Sequence, residues 1–100
     1  MNITFSGLHD THLEPYQIVN LQKLAEQEAG KLEHGVHNGN LVLHVKEYSK
    51  DGKKHKYSIT MKLEYPGQLI TSTQEDWDVV TAVRKTFNNA KNAVNKKFRK

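Results

Sequence analysis

The chain has 100 residues, 36% hydrophobic and 26% charged, with a formal net charge of +4 and no cysteine. That length and apolar share suit one domain with one modest core, spanning residues 1–100. The composition excludes disulfides, thiolate metal knuckles and thiol nucleophiles, and no apolar stretch approaches membrane-spanning length. Cysteine-free composition fits a reducing, cytoplasmic setting. The opening residues form a strand-like run, without the basic leader and apolar core of a signal peptide.

Asn2–Leu8 alternates, with Ile3, Phe5 and Gly7 on one face and Thr4 and Ser6 on the other, which predicts a short strand. Thr11-His12-Leu13-Glu14 has the spacing of a capping box, and Pro15 is tolerated in a first helical turn. In the helix that follows, Ile18, Leu21, Ala25, Ala29 and Leu32 recur at three and four residues as one apolar stripe. Gly35 and Asn38-Gly39 end it. Leu41, Leu43 and Val45 mark a second strand, and Asp51-Gly52 a hairpin turn.

The third strand is the clearest element. Tyr57, Ile59, Met61, Leu63 and Tyr65 share one face, and Lys56, Ser58, Thr60, Lys62 and Glu64 the other. A strict period of two with one polar face predicts a sheet covered on one side only. Pro66-Gly67 turns the chain into a fourth strand, Gln68–Thr73. Ser72 or Thr73 is then expected to cap the last helix, with Glu75 and Asp76 in its first turn. Val80, Val83, Phe87, Ala90 and Val94 form the buried stripe of that helix, with Trp77 and Phe98 near its ends. The order β-α-β-β-β-α predicts an α+β fold: a four-stranded mixed sheet with both helices packed on its apolar face. The first crossover makes strand one parallel to strand two, and the rest is an antiparallel meander.

No motif calls for a cofactor or a small-molecule substrate. His-Glu-x-x-His, Gly-x-x-x-x-Gly-Lys and Gly-x-Ser-x-Gly are all missing, and Asp51-Gly52-Lys53-Lys54 is explained by turn chemistry. Of the six histidines, His9 and His12 flank the start of the first helix, and His34 and His37 its end. Each pair is three apart, but no carboxylate or cysteine completes a credible ligand set, so no metal site is expected. The chain does not read as an enzyme.

Charge is the positive signal. Residues 1–43 hold Asp10, Glu14, Glu26, Glu28 and Glu33 against Lys23 and Lys31, whereas residues 44–100 hold thirteen bases against six acids. From Val79 to Lys100 there is no acid at all, only Arg84, Lys85, Lys91, Lys96, Lys97, Arg99 and Lys100. Acids first and bases last suit a helix macrodipole, but the dipole does not account for an acid-free middle. Wound at helical pitch, the apolar stripe leaves Lys85, Asn88, Asn92, Lys96 and Arg99 outermost, with Arg84 and Asn95 flanking. Cations neutralise phosphate, and amides donate to phosphate or ribose oxygens. A soluble helix face usually mixes Glu with Lys, and this one has no Glu. A second basic group surrounds the hairpin: Lys46, Lys50, Lys53, Lys54, His55, Lys56 and Lys62. Lysines on an open sheet serve equally well against edge aggregation. Without interleaved aromatics, the pattern favours structured RNA over a single strand.

The element order, the opening Ile3-Thr4-Phe5-Ser6-Gly7, the helix after Thr11 and the closing Glu75-Asp76-Trp77-Asp78-Val79-Val80-Thr81-Ala82-Val83 together resemble the short form of the ribosome hibernation-promoting factors. These are also called ribosome-associated inhibitors or sigma-54 modulation proteins. The resemblance implies a fold like that of double-stranded-RNA-binding domains with an added first strand. It implies binding to the small ribosomal subunit and its rRNA in the mRNA/tRNA channel, with translation inhibited in stress or stationary phase. On the last helix the matching basic positions are Arg84, Lys85, Lys91, Lys96, Lys97 and Arg99; on the first they are Lys23 and Lys31. The first helix departs from the family in its acids, Glu26, Glu28 and Glu33. The chain as given ends at Lys100, without the C-terminal dimerisation domain of the long members. A general structured-RNA-binding module, and a protein-interaction domain using the acidic first helix, are the alternatives.

Overall fold

The structure is a computed structural model. It describes the backbone of residues 1–32, 38–50 and 54–98, and the side chains of these except 49, 50, 54, 97 and 98. Glu33, His34, Gly35, His37, the Asp51-Gly52 turn, Lys53, Arg99 and Lys100 therefore lie outside the described residues, as do the side chains of Lys50, Lys54, Lys97 and Phe98.

Strand β1 (Asn2–Ser6) leads through a 3₁₀ turn at Leu8–Asp10 into helix α1 (Pro15–Leu32). Strands β2 (Asn40–Lys50), β3 (Lys54–Tyr65) and β4 (Gln68–Asp76) follow, and helix α2 (Val79–Phe98) closes the chain. The sheet order is β1-β2-β3-β4, with β1 parallel to β2 and the other pairs antiparallel. This is the expected α+β arrangement.

The period-two pattern puts Leu41, Leu43 and Val45 of β2 beside Ile59, Met61 and Leu63 of β3, all at most 1% exposed. Leu21, Ala25, Ala29 and Leu32 of α1 and Val79, Ala82, Val83, Phe87, Ala90 and Val94 of α2 join them in one core. The alanines let helix backbones approach closely where a larger side chain would hold them off. Thr86, fully buried on α2, satisfies its hydroxyl on the Ala82 carbonyl at 2.8 Å, and its own carbonyl accepts from Ser72 at 3.4 Å. The opposite sheet face, with Thr4, Val42, His44, Lys46, Lys62 and Glu64, stays open.

Gly7 follows β1 with φ of 83°, and a Cβ built there would stand 2.2 Å from the Val45 carbonyl oxygen. Only glycine meets both conditions, so the last residue of the opening motif is fixed by backbone geometry.

Three local expectations are corrected. Helix α1 starts one turn later than a Thr11 cap would set it: Glu14 takes the cap position, its carbonyl accepting from Gln17 and Ile18, while Gln17 Oε1 accepts from the Glu14 N–H at 2.8 Å. Thr11 closes the 3₁₀ turn instead, donating to the Leu8 carbonyl at 2.7 Å. Strand β4 runs on to Asp76, because β3 offers it a ladder as far as Tyr57 opposite Asp76; pairing overrides the capping preference of Ser72 and Thr73. Glu75 and Asp76 are thus strand residues. The α2 cap is Asp78, whose Oδ2 accepts from the Thr81 N–H at 3.2 Å and the Thr81 hydroxyl at 2.6 Å. The buried stripe then begins at Val79, and Val80 is 38% exposed.

Candidate nucleic-acid interface

Helix α2 spans about 30 Å at 1.5 Å per residue. Its outer surface carries two adjoining ridges at i, i+4, i+7 and i+11: Arg84, Asn88, Lys91 and Asn95 on one, and Lys85, Asn89, Asn92 and Lys96 on the other. All eight are exposed. Asparagine is a mediocre helix former, so propensity does not explain four of them on one surface. Short amides between long cations give a surface that donates hydrogen bonds along its whole length.

The cations are not equivalent. Lys85 Nζ donates to Asp76 Oδ2 at 2.7 Å, tying the first turns of α2 to the end of β4. Asp76 Oδ1 also accepts from the Asp78 N–H at 3.0 Å. The Lys85 hydrogen bond, followed by that of the Asp78 N–H, holds the Asp76 carboxyl below its ordinary value of 3.8. Among the described residues Arg84, Lys91 and Lys96 have no carboxylate partner. The expectation of a uniformly uncompensated face is corrected at Lys85: the extension of β4 brings Asp76 beneath it. On α1, Lys23 is exposed, and Lys31 stands 3.5 Å from Glu28 one turn back. Lys97 lies within α2 with its side chain outside the described residues, and Arg99 lies outside them altogether.

On the open sheet face Lys46 packs over the Tyr48 ring at 5.0 Å. Lys56 reaches Glu75 at 3.3 Å and lies 5.7 Å from the centre of the Trp77 ring. Trp77 is 51% exposed, a rim residue rather than a core one. Ser6, Val42, His44, Thr60 and Lys62 line a shallow depression of about 370 Å³, in which His44 and Ser6 are hydrogen-bonded at 2.9 Å.

Glu47 was not singled out by the sequence. It occupies the inward position after Val45 on β2, where the alternation leads to an apolar residue, and its side chain is only 3% exposed. His12, from the segment before α1, donates its backbone N–H to Oε2 at 3.0 Å and places its ring Nδ1 2.5 Å from Oε1. His55 of β3 brings its own Nδ1 to 3.3 Å from the same Oε1. Burial alone would raise the Glu47 carboxyl; the His12 hydrogen bonds and the charges of His55 and His12 outweigh it and hold the group below its ordinary 4.5. Burial, with the Glu47 charge and hydrogen bond, raises the Tyr57 phenol. Linear spacing paired His12 with His9; the fold pairs it with residues 35 and 43 positions away.

No helix among the described residues is long and apolar enough to cross a membrane. No protein-family model and no curated protein matches the sequence. Among solved structures, the chain is similar to a ribosomal subunit interface protein from Coxiella burnetii, at 17% identity and a TM-score of 0.67, with 97% of each chain covered. It is also similar to the N-terminal domain of Protein Y from Thermus thermophilus, at 20% identity and a TM-score of 0.64, covering 99% of this chain and 100% of that one. At these identities the likeness establishes a common fold.

Proposed function

We propose that this chain is a ribosome-associated factor of the hibernation-promoting type, acting through the outer face of α2. The observation that carries this is the acid-free surface of α2, with Arg84, Lys91 and Lys96 unpaired among the described residues, on a fold shared along nearly its full length with a ribosomal subunit interface protein. The same likeness extends to the Protein Y domain, and the motifs from Ile3 to Val83 suggest the same family.

In this reading the factor docks on rRNA of the small subunit in the mRNA/tRNA channel and inhibits translation sterically during stress or stationary phase. Arg84, Lys91 and Lys96 neutralise backbone phosphates, and Asn88 and Asn92 donate to phosphate or ribose oxygens between them. Lys85, paired with Asp76, braces the rim of this face rather than adding a free charge to it. Lys97 and Arg99 extend the basic run, and Lys23 and Lys31 supply a smaller contribution from α1. The rigid helix is held to the sheet by its buried stripe, so little conformational entropy is lost on docking. No step of this mechanism involves bond chemistry.

Sedimentation of a lysate through a sucrose gradient tests it. Co-migration with small subunits or whole ribosomes is the expected result, lost when Arg84, Lys91 and Lys96 are all changed to Glu. Recovery with free RNA alone would transfer the face to another structured RNA. Retained ribosome binding by the triple variant would dismiss the assigned face.

A further inference from the structure

We propose that His12, Glu47 and His55 form a binding site for a zinc-class divalent metal ion, clamping the segment before α1 to strands β2 and β3. The three residues bring one donor atom each, two imidazole nitrogens and a carboxylate oxygen, all within 4.8 Å of one another. His12 and His55 come from different elements, yet both aim Nδ1 at the same oxygen, Glu47 Oε1. Their ring centres are 5.2 Å apart and their planes are tilted by 31°.

The arrangement is poorly explained as a hydrogen-bond network alone. His55 Nδ1 is buried and makes no well-formed hydrogen bond. Its 3.3 Å approach to Glu47 Oε1 lacks hydrogen-bond geometry, and a metal ion among these donors would satisfy the nitrogen. Zinc binds imidazole nitrogen and carboxylate oxygen at about 2.0–2.2 Å, which sets tetrahedral ligands roughly 3.3 Å apart. His55 Nδ1 and Glu47 Oε1 already stand at 3.3 Å. His12 must withdraw from Glu47 by less than one ångström to match, and its side chain is 78% exposed and free to do so.

The donor set selects the class of ion. Calcium and magnesium take oxygen ligands, whereas two imidazoles with one carboxylate suit zinc, cobalt or nickel. Three protein ligands leave a fourth position for water on the solvent side, next to His12. Behind the carboxylate, Tyr57 stands directly opposite Glu47 in the β2–β3 register, on the same inward face. The site is independent of the basic face of α2 and of its proposed RNA partner.

Calorimetric titration of the purified chain with zinc chloride, in a non-chelating buffer, tests the site directly. The expected result is one ion bound per chain, weakened at least about tenfold by His12→Ala and by His55→Ala. His44→Ala, outside the cluster, should bind as wild type. Zinc should also raise the melting temperature of wild type but not of His12→Ala, since binding to the native state alone stabilises it. His12 is exposed, so its variant keeps the fold, which circular dichroism verifies. Absence of saturable binding up to millimolar zinc, or affinities within tenfold of wild type in both histidine variants, would overturn the proposal.

Discussion

Lys85 and Asp76 are nine residues apart, and their side chains meet at 2.7 Å across the junction of β4 and α2. The contact takes one of the seven cations of the terminal basic run and makes it a structural brace. It also separates the cations of α2 into a braced Lys85 and, among the described residues, the unpaired Arg84, Lys91 and Lys96, from which separate behaviours follow.

Lys91→Ala and Lys85→Ala should differ in their salt dependence. A cation that displaces counterions from phosphate contributes about one unit to the slope of log affinity against log salt. Lys91→Ala is expected to lower that slope by about one. Lys85→Ala should leave the slope nearly unchanged and lower the melting temperature instead. Filter binding to rRNA at several salt concentrations, with parallel thermal melts, measures both.

Asp76 predicts an acid limb to stability. Its carboxyl is depressed in the folded state below the ordinary 3.8, chiefly by the Lys85 hydrogen bond. A depressed carboxyl stabilises the fold above its unfolded-state value and loses that contribution as pH falls through the folded one. The window therefore lies below pH 3.8. In urea unfolding across this range, Asp76→Asn should be less stable than wild type at neutral pH, and the difference should shrink on acidification.

Asp78, not Thr73, should be the residue whose loss unravels the start of α2. Asp78→Ala removes a cap bonded to Thr81 and is expected to cost about 1 kcal/mol. Thr73 faces outward on β4 and shares a 3.3 Å hydroxyl contact with Thr60, so Thr73→Ala should cost less than about 0.5 kcal/mol. Equilibrium denaturation of the two variants decides between the cap positions.

Gly7→Ala should be among the most damaging small substitutions in the chain. The left-handed backbone costs a non-glycine residue about 1–2 kcal/mol, and the new Cβ also collides with the Val45 carbonyl oxygen. A total loss above about 2 kcal/mol in urea midpoint analysis is expected, with β1 displaced from β2.

Periodicity made most of the architecture legible. The alternation from Lys56 to Tyr65 and the three-four spacing from Ile18 to Leu32 each point to one conformation, because each buries one face cleanly. The β4–α2 junction was illegible for the opposite reason. Ser72, Thr73, Glu75 and Asp76 suit a helix start, and only the length of β3 decides that they pair instead. The phase of the helix stripe was legible, since Val83, Phe87, Ala90 and Val94 are all buried; only its first member differs, Val79 lying inside where Val80 was expected. The cations of α2 were visible as a run without acids, but the partner of Lys85 depended on where Asp76 ended up. Glu47, His12 and His55 carry no local signal. The one trace was a carboxylate at an inward position of β2, directly after Leu41, Leu43 and Val45.

Across β2, β3 and β4, Glu47, Tyr57 and Asp76 stand at one level, Glu47 opposite Tyr57 and Tyr57 opposite Asp76. Side-chain alternation forbids a slip by one residue, since it would turn every apolar group outward. A slip by two restores the faces and is invisible to hydrophobicity. Here it would set Glu47 against Ile59 and strip it of Tyr57. The ionisable level thus acts as a vernier, choosing among alignments that greasy residues alone leave degenerate.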